Sequence, residues 1–379
     1  MRTIALRHRQ FDDIYRGKRV LVTGHTGFKG SWLCAWLNAL GADVMGYSLS
    51  PDTTPNHFEL IQPDLQIKSV FGDIRDLPNL EKTWQQFQPE VVFHLAAQPL
   101  VRLSYEQPIE TLNINIMGTA NVLEACRQTT SIRAIINITS DKCYENREWV
   151  WGYRESDPMG GYDPYSASKG CAELVTAAYR KAFFNPDTFG ASHHVLLASA
   201  RAGNVIGGGD WARDRIITDM MTAAAKDTPF LIRSPGATRP WQHVLEPLSG
   251  YLLLGRHLLK GKRIFADAWN FGPVDGKIIP VIEMVRTMQK IWPKIGFQVQ
   301  EDPNNLHEAG LLKLDCSKAV MKLGWEGVWD GNTTFAKTAQ WYKKFYENGT
   351  VSTIDQMTAY FDDAFKAGLP WIGPNNREP

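Results

Sequence analysis

The chain has 379 residues, with 41 Lys plus Arg set against 40 Asp plus Glu for a formal net charge of +1. That balance excludes a basic stripe for nucleic acid or a polybasic membrane-binding surface, and no run approaches the ~18 apolar residues of a membrane span. Five cysteines (Cys34, Cys126, Cys143, Cys171, Cys316) are scattered without CxxC spacing, and nine histidines lack metal-ligand spacing. No disulfide framework and no metal site is expected, and a reducing, cytoplasmic setting fits. The opening stretch, MRTIALRHRQFDDIYRG, is basic but has no apolar core of signal-peptide length.

In chain order, Arg19 to Thr23 is an apolar run long enough for one buried strand. Gly24, Gly27 and Gly30 follow, spaced three apart. From Ser31 to Leu40, Trp32, Ala35, Trp36, Ala39 and Leu40 recur at helical spacing. Gly41 stops that helix and Asp43 to Tyr47 begins a second strand. Strand, glycine turn, helix and strand make one βαβ unit, in which the glycines let the backbone approach a pyrophosphate and the helix N-terminus offers it free N–H groups. His25 and Lys29 are bulky for such a turn. They read either as solvated loop side chains or as groups that loosen the dinucleotide, with Lys29 on a phosphate, leaving a weak and exchangeable cofactor.

Ile67 to Phe71 predicts a third strand, Leu77 to Phe87 a helix, and Val91 to Ala96 a fourth strand running into Ala97-Gln98-Pro99. A helix is expected over roughly Ile109 to Thr129, a fifth strand over Ile135 to Thr139, a helix over Tyr165 to Phe184 and a sixth strand over Val195 to Arg201. This alternation means an α/β protein with a Rossmann-type doubly wound parallel sheet. Beyond Asn204, Gly207-Gly208-Gly209 and the Pro/Gly-rich Ser234 to Pro240 break the rhythm. The expected organisation is an extension over 1–16, a dinucleotide-binding domain over 17–204 with segments around 238–275 returning to it, a smaller, mostly helical substrate-binding lobe over 205–345, and a tail over 346–379. The end of strand two, where an acidic residue usually meets the ribose, carries Ser48; no arginine follows closely to hold a 2′-phosphate, so NAD is favoured over NADP.

Strand five ends in Thr139-Ser140-Asp141-Lys142, and the next helix begins Tyr165-Ser166-Ala167-Ser168-Lys169. Tyr165 and Lys169 lie one helical turn apart on one face. A phenol with an ordinary pKa of ~10 is a poor base at pH 7, and neighbouring positive charge favours its phenolate. A strand-five hydroxyl can then share the proton of a substrate alcohol, which is what hydride removal from a secondary alcohol demands. The plain alternatives are a Tyr–Lys pair on a solvated helix face and a local ion pair between Asp141 and Lys142.

Over most of 17–330 these motifs resemble the extended short-chain dehydrogenase/reductases. Gly24-His25-Thr26-Gly27-Phe28-Lys29-Gly30, Gln98-Pro99-Leu100-Val101-Arg102, Thr139-Ser140-Asp141-Lys142 and Tyr165 to Lys169 are similar to the strings of the CDP-glucose 4,6-dehydratase family. The resemblance implies NAD held by Gly24 to Gly30, Ser48, Asp73, Ile74, Leu95, Ala96, Ala97, Tyr165 and Lys169, with Asp73 against the adenine. It implies a nucleotide-sugar substrate, CDP-D-glucose, touched by Gln98, Arg102, Asn204, Arg213 and Arg239. It further implies that Tyr165, Ser140 and Lys169 oxidise C4, that Lys142 removes the C5 proton in place of the glutamate of dTDP-glucose relatives, that Asp141 protonates the C6 hydroxyl, and that the chain is a homodimer or homotetramer. The alternatives are a nucleotide-sugar 4-epimerase, which needs no elimination acid and base, a dehydratase of another NDP-glucose, and a non-catalytic dinucleotide-binding sensor.

Overall fold

The computed structural model describes residues 7–273, 279–300 and 311–374. Seven parallel strands form the central sheet: β1 (Arg19–Thr23), β2 (Asp43–Ser48), β3 (Ile67–Phe71), β4 (Val91–His94), β5 (Ala134–Ile138), β6 (Leu196–Ala202) and β7 (Ala268–Phe271). Their spatial order is β3-β2-β1-β4-β5-β6-β7, so the winding reverses between β1 and β4. A crevice opens outside the carboxyl ends of strands at such a point.

The strands read as continuous apolar runs because helices cover both faces. Val20, Val22, Phe93 and Ile136 point into one core, shared with α1 (Phe28–Ala39) and with Leu248, Tyr251 and Leu252 of a later helix. Leu21, Val92, Ile135 and Leu197 point into the other, shared with Leu80, Trp84 and Phe87 of α2 (Leu77–Phe87) and with Val122 and Leu123 of α3 (Gly118–Arg127). Next come α4 (Pro164–Ala182), α5 (Ile216–Ala225), α6 (Leu245–Leu259), α7 (Val281–Ile291), α8 (Gly331–Asn348) and α9 (Thr353–Lys366).

Three departures from the sequence reading have physical causes. The helix expected over Ile109 to Thr129 runs from Pro108 to Arg127, as Pro108–Leu112, a π-turn at Asn113–Met117 and α3, and a separate short helix at Val101–Glu106 precedes it. Pro108, which lacks an N–H, stands in the first turn and separates this helix from Val101–Glu106, and the π-turn turns Asn115 toward Gln98 and Ser168. β4 stops at His94: the Leu95 N–H is shared between the Thr23 carbonyl oxygen and the Thr23 hydroxyl, and the Ala96 N–H donates to that hydroxyl instead of to a ladder. The expected extension and tail are packed together rather than free. His8–Gln10 pairs antiparallel with Ile372–Pro374, Phe11 stacks on Trp371 at 5.1 Å, and Tyr360 and Phe361 of α9 close on Trp36 of α1. Segments beyond 204 also return to the sheet, since β7 pairs with β6 and α6 is buried along most of its length.

His57, on the short helix His57–Ile61, bridges α1 to α9. Its Nδ1 lies 2.7 Å from the Ser31 hydroxyl and its Nε2 2.7 Å from that of Thr353. Burial pushes its pKa down to about 3, and burial also holds His94 and His243 down at about 3. A histidine whose folded pKa is depressed costs stability as pH falls below its unfolded value of ~6.5. Between pH 6.5 and 5 each such group removes up to about 2 kcal/mol. The melting temperature should therefore fall steadily from pH 7 to pH 5. In His57→Gln, followed by thermal unfolding across that range, the fall should be smaller; an unchanged slope contradicts a neutral buried His57.

Candidate active site

The glycine turn is built by close approach. A Cβ on Gly30 would lie 2.0 Å from the Gly24 carbonyl oxygen, and one on Gly24 would lie 2.8 Å from the Ala96 nitrogen. Only glycine fits these two places, and the result seats the turn on Leu95-Ala96-Ala97 at the end of β4. No side chain caps α1 at Gly27, so the first N–H groups of a twelve-residue helix face the crevice. Thr26 donates to the Leu49 carbonyl oxygen at 3.0 Å and shares a hydrogen bond of 2.8 Å with Ser48. Phe28 packs beside Gly207, whose Cβ position is 3.3 Å from the ring. This backbone cradle with an uncapped helix end fits a dinucleotide pyrophosphate.

Of the other residues assigned to the cofactor or substrate, His25 and Gln98 have side chains turned into the protein. His25 does not crowd the turn with its ring. The ring is fully buried over β2, 2.1 Å from the position a Cβ of Gly46 would take, 2.5 Å from the Ser69 hydroxyl and edge-on to Phe58 at 4.9 Å. The missing side chain of Gly46 accommodates its bulk, which removes the reason to expect the ring to loosen a dinucleotide. Asp73 is held by Arg75, which donates to both carboxylate oxygens and also pairs with Glu110 at 2.6 Å. Ile74 is buried against Gly118. Gln98 turns into the protein: its side chain donates to the Leu100 carbonyl oxygen and the Thr111 hydroxyl and accepts from the Leu100 N–H. It shapes its loop rather than lining a sugar site. Arg102 pairs with Asp214 at 3.6 Å, Arg213 is exposed, and Arg239 donates to the Thr238 carbonyl oxygen. Asn204 is half-buried, and its carbonyl oxygen accepts from the Gln242 N–H.

Ser140, Asp141, Lys142, Tyr165 and Lys169 come together at the ends of β5 and α4. Asp163 caps α4 by accepting from the Ser166 N–H, with Pro164 in the first turn, and this aims Tyr165 and Lys169 at the turn after β5. Ser140 donates to Asp141 at 2.9 Å and accepts from the Lys142 N–H at 3.2 Å. Asp141 is buried, with its Oδ2 3.1 Å from the Cβ position of Gly203. Burial pushes its carboxyl up, against the pull of Lys142, Ser140 and Lys29. Burial likewise pushes Tyr165 up to about 12, opposed by the Ser140 hydroxyl and by Arg215. It pushes Lys169 down to about 8, with Glu173 acting to keep the ammonium charged.

Lys29 points to this centre. Burial pushes its ammonium down to about 8, Arg215 and Lys169 push the same way, and Asp141 and Asp210 oppose them. Two contributors escape the sequence. Arg215, rather than Arg213, faces Tyr165 and pairs with Asp210 at 2.5 Å. The two arginines alternate along an irregular loop, where no period says which one turns inward. Asn115 accepts from the Gln98 N–H at 2.9 Å and donates to the Ser168 hydroxyl at 2.8 Å, tying the end of β4 to α4. Its only signal is a polar residue on an apolar helical face. Among the described residues no group of three or more His, Cys, Asp or Glu side chains could hold a metal ion, and no helix is long and apolar enough to cross a membrane.

Residues 21–338 match the family model of GDP-mannose 4,6 dehydratase. A CDP-glucose 4,6-dehydratase of Salmonella typhimurium is 53% identical over 331 residues, covering 87% of this chain and 92% of its own. Among solved structures, an epimerase from Methanothermobacter thermautotrophicus superposes with a TM-score of 0.76 at 23% identity, over 89% of this chain and 95% of its own. A dTDP-glucose 4,6-dehydratase from Streptomyces venezuelae, solved with NAD bound, gives a TM-score of 0.72 at 21% identity, over 89% of this chain and 99% of its own. At these identities the two structures establish the fold.

Proposed function

The chain belongs to the GDP-mannose 4,6 dehydratase family, and on that premise we propose that it is an NAD-dependent hydro-lyase converting CDP-D-glucose to CDP-4-dehydro-6-deoxy-D-glucose. One observation carries the reading beyond simple oxidation. A buried Asp141, whose carboxyl burial favours in its protonated form, adjoins Lys142 beside the Tyr165–Lys169 pair. A 4-epimerase needs only the pair. The high identity to a CDP-glucose enzyme supports the choice of nucleotide, and the cradle at Gly24 to Gly30 supports NAD.

The residues would act in order on one sugar. NAD would supply the site that takes hydride from C4 and returns it to C6. Tyr165 takes the C4 hydroxyl proton; Ser140 and Arg215 favour its phenolate, against the burial that opposes it. Lys169, with a pKa of about 8, stays largely cationic at pH 7 and supports the same charge. The C4 ketone acidifies C5–H. Lys142 accepts that proton, and Asp141 gives its proton to the C6 hydroxyl. The C5–H and C6–O bonds break, the C5–C6 double bond forms, and water departs; as C6 regains hydride, the ammonium of Lys142 returns a proton to C5, and the proton gained by Tyr165 balances the one lost by Asp141 over the cycle. The diphosphate would fall to Asn204, Arg213, Arg215 and Arg239, and the sugar region to Arg102.

We assign the protein to the cytoplasm, consistent with five unpaired cysteines. We also propose a homodimer, or a tetramer built from it. Ile109, Met117 and Leu174 are exposed by 76%, 53% and 60% on neighbouring helical segments, an apolar face of the kind a second copy covers. Light scattering should give at least twice the 42.7 kDa chain mass, and a monomer at micromolar concentration contradicts this.

Purified protein mixed with NAD and each NDP-glucose in turn should yield a product one water lighter, fastest with the CDP sugar; no mass loss with any of them overturns the reading. The role of Lys142 is tested separately in heavy water. Wild-type product should carry deuterium at C5, whereas Lys142→Met should form no product and return substrate without label. Exchange at the wild-type rate in that variant places the base elsewhere.

A further inference from the structure

The two halves of the catalytic constellation stand on different elements. Ser140, Asp141 and Lys142 follow β5, while Tyr165 and Lys169 begin α4. One buried carboxylate links the two elements. Glu173 lies on α4, four residues after Lys169 and eight after Tyr165, so the three share a helical face. It accepts from the Thr139 hydroxyl, from the Ser199 hydroxyl at 2.7 Å and from the Arg201 guanidinium at 2.8 Å. Thr139 immediately precedes Ser140. Arg201 in turn donates to the Tyr144 hydroxyl at 2.6 Å and to the Glu155 carbonyl oxygen, and Tyr144 donates to Asn270 of β7 at 2.8 Å.

The geometry points to Glu173 as a positioning residue: its carboxylate, locked by Arg201, joins the end of β5 to α4 through Thr139 and supplies the counter-charge facing Lys169. Removing either function moves a different observable. The Thr139 bond sets where Ser140 stands relative to Tyr165. The charge sets how firmly Lys169 keeps its proton. Burial alone would push Glu173 up, but Arg201, Thr139 and Ser199 hold it below the ordinary carboxylate range, so it stays ionised.

The groups facing Lys169 come from every element around it. Glu173 and Tyr165 lie on α4, Cys143 on the turn after β5, Lys29 on α1 and His94 on β4. Glu173 is the anion among them at neutral pH. Its loss lowers the Lys169 midpoint by about one pH unit, the size expected for a charge one helical turn away at intermediate dielectric. The catalytic part of this inference rests on the dehydratase reading; the charge part does not.

The test uses full-length protein labelled with [ε-13C]lysine, titrated by NMR, with the Lys169 signal identified by its loss in Lys169→Met. Glu173→Gln should lower the Lys169 midpoint by about one unit, and Glu173→Asp should restore most of it. Because Glu173→Gln leaves Arg201 buried without its partner, the double variant Glu173→Gln/Arg201→Gln is titrated beside it and should show the same downward shift. Thr139→Val should leave the midpoint in place while lowering kcat about tenfold at unchanged KM. A folded Glu173→Gln or double variant with the wild-type midpoint overturns the charge role, and unchanged kcat in Thr139→Val overturns the link to β5. If the wild type turns over no nucleotide sugar, the functional reading fails, while the NMR shift still decides the role of Glu173.

Discussion

A parallel strand that ends must leave its later N–H groups to something other than the ladder, and Ser140, Asp141 and Lys142 sit where that happens, facing Tyr165 and Lys169 of α4. The Thr23 hydroxyl takes the N–H groups of Leu95 and Ala96. Asn115 takes that of Gln98, and Ser140 that of Lys142. Each of these bonds fixes a loop at the carboxyl edge of the sheet, and buried backbone donors left unpaired would cost about as much as a lost hydrogen bond. The crevice is therefore stiff because the requirements of the fold and the shape of the site are met by the same side chains. Asn115 and Ser168 extend this from β4 to α4, and Glu173 extends it from β5 to α4.

Electrostatics follow from that burial. Lys29, Lys142, Lys169 and Arg215 converge on a centre that holds Asp141 and Asp210. Burial pushes Lys29 and Lys169 toward losing their protons, and Asp141 toward keeping one. Low dielectric makes such cations costly when alone and effective when an anionic ligand arrives. A site poised in this way suits a diphosphate substrate and chemistry that passes one proton from carbon to a base and another from an acid to oxygen.

Much of this was legible in the chain. Three glycines after an apolar run mark the turn because backbone packing there excludes any Cβ, and Tyr165 and Lys169 are paired by helical spacing alone. Strand limits at Arg19–Thr23 and Ile67–Phe71 and the helix Leu77–Phe87 follow from apolar period and flanking glycine or proline. What escaped depends on long-range contacts. His25 is bulky for the turn, and only Gly46, on the neighbouring strand, leaves room for its ring. Arg215 lies in an irregular loop with no period to orient it. The pairing of His8–Gln10 with Ile372–Pro374 joins opposite ends of the chain, a contact that local pattern does not encode.

The central claim is that this one buried centre oxidises C4 and reduces C6 of the same sugar molecule, with elimination between. Substrate deuterated at C4, turned over in ordinary water together with unlabelled substrate, measures it most directly. The account predicts that the label reappears at C6 of the product, within the molecule that carried it. Label retained at C4, with inverted configuration and no loss of water, would contradict it and make the protein an epimerase.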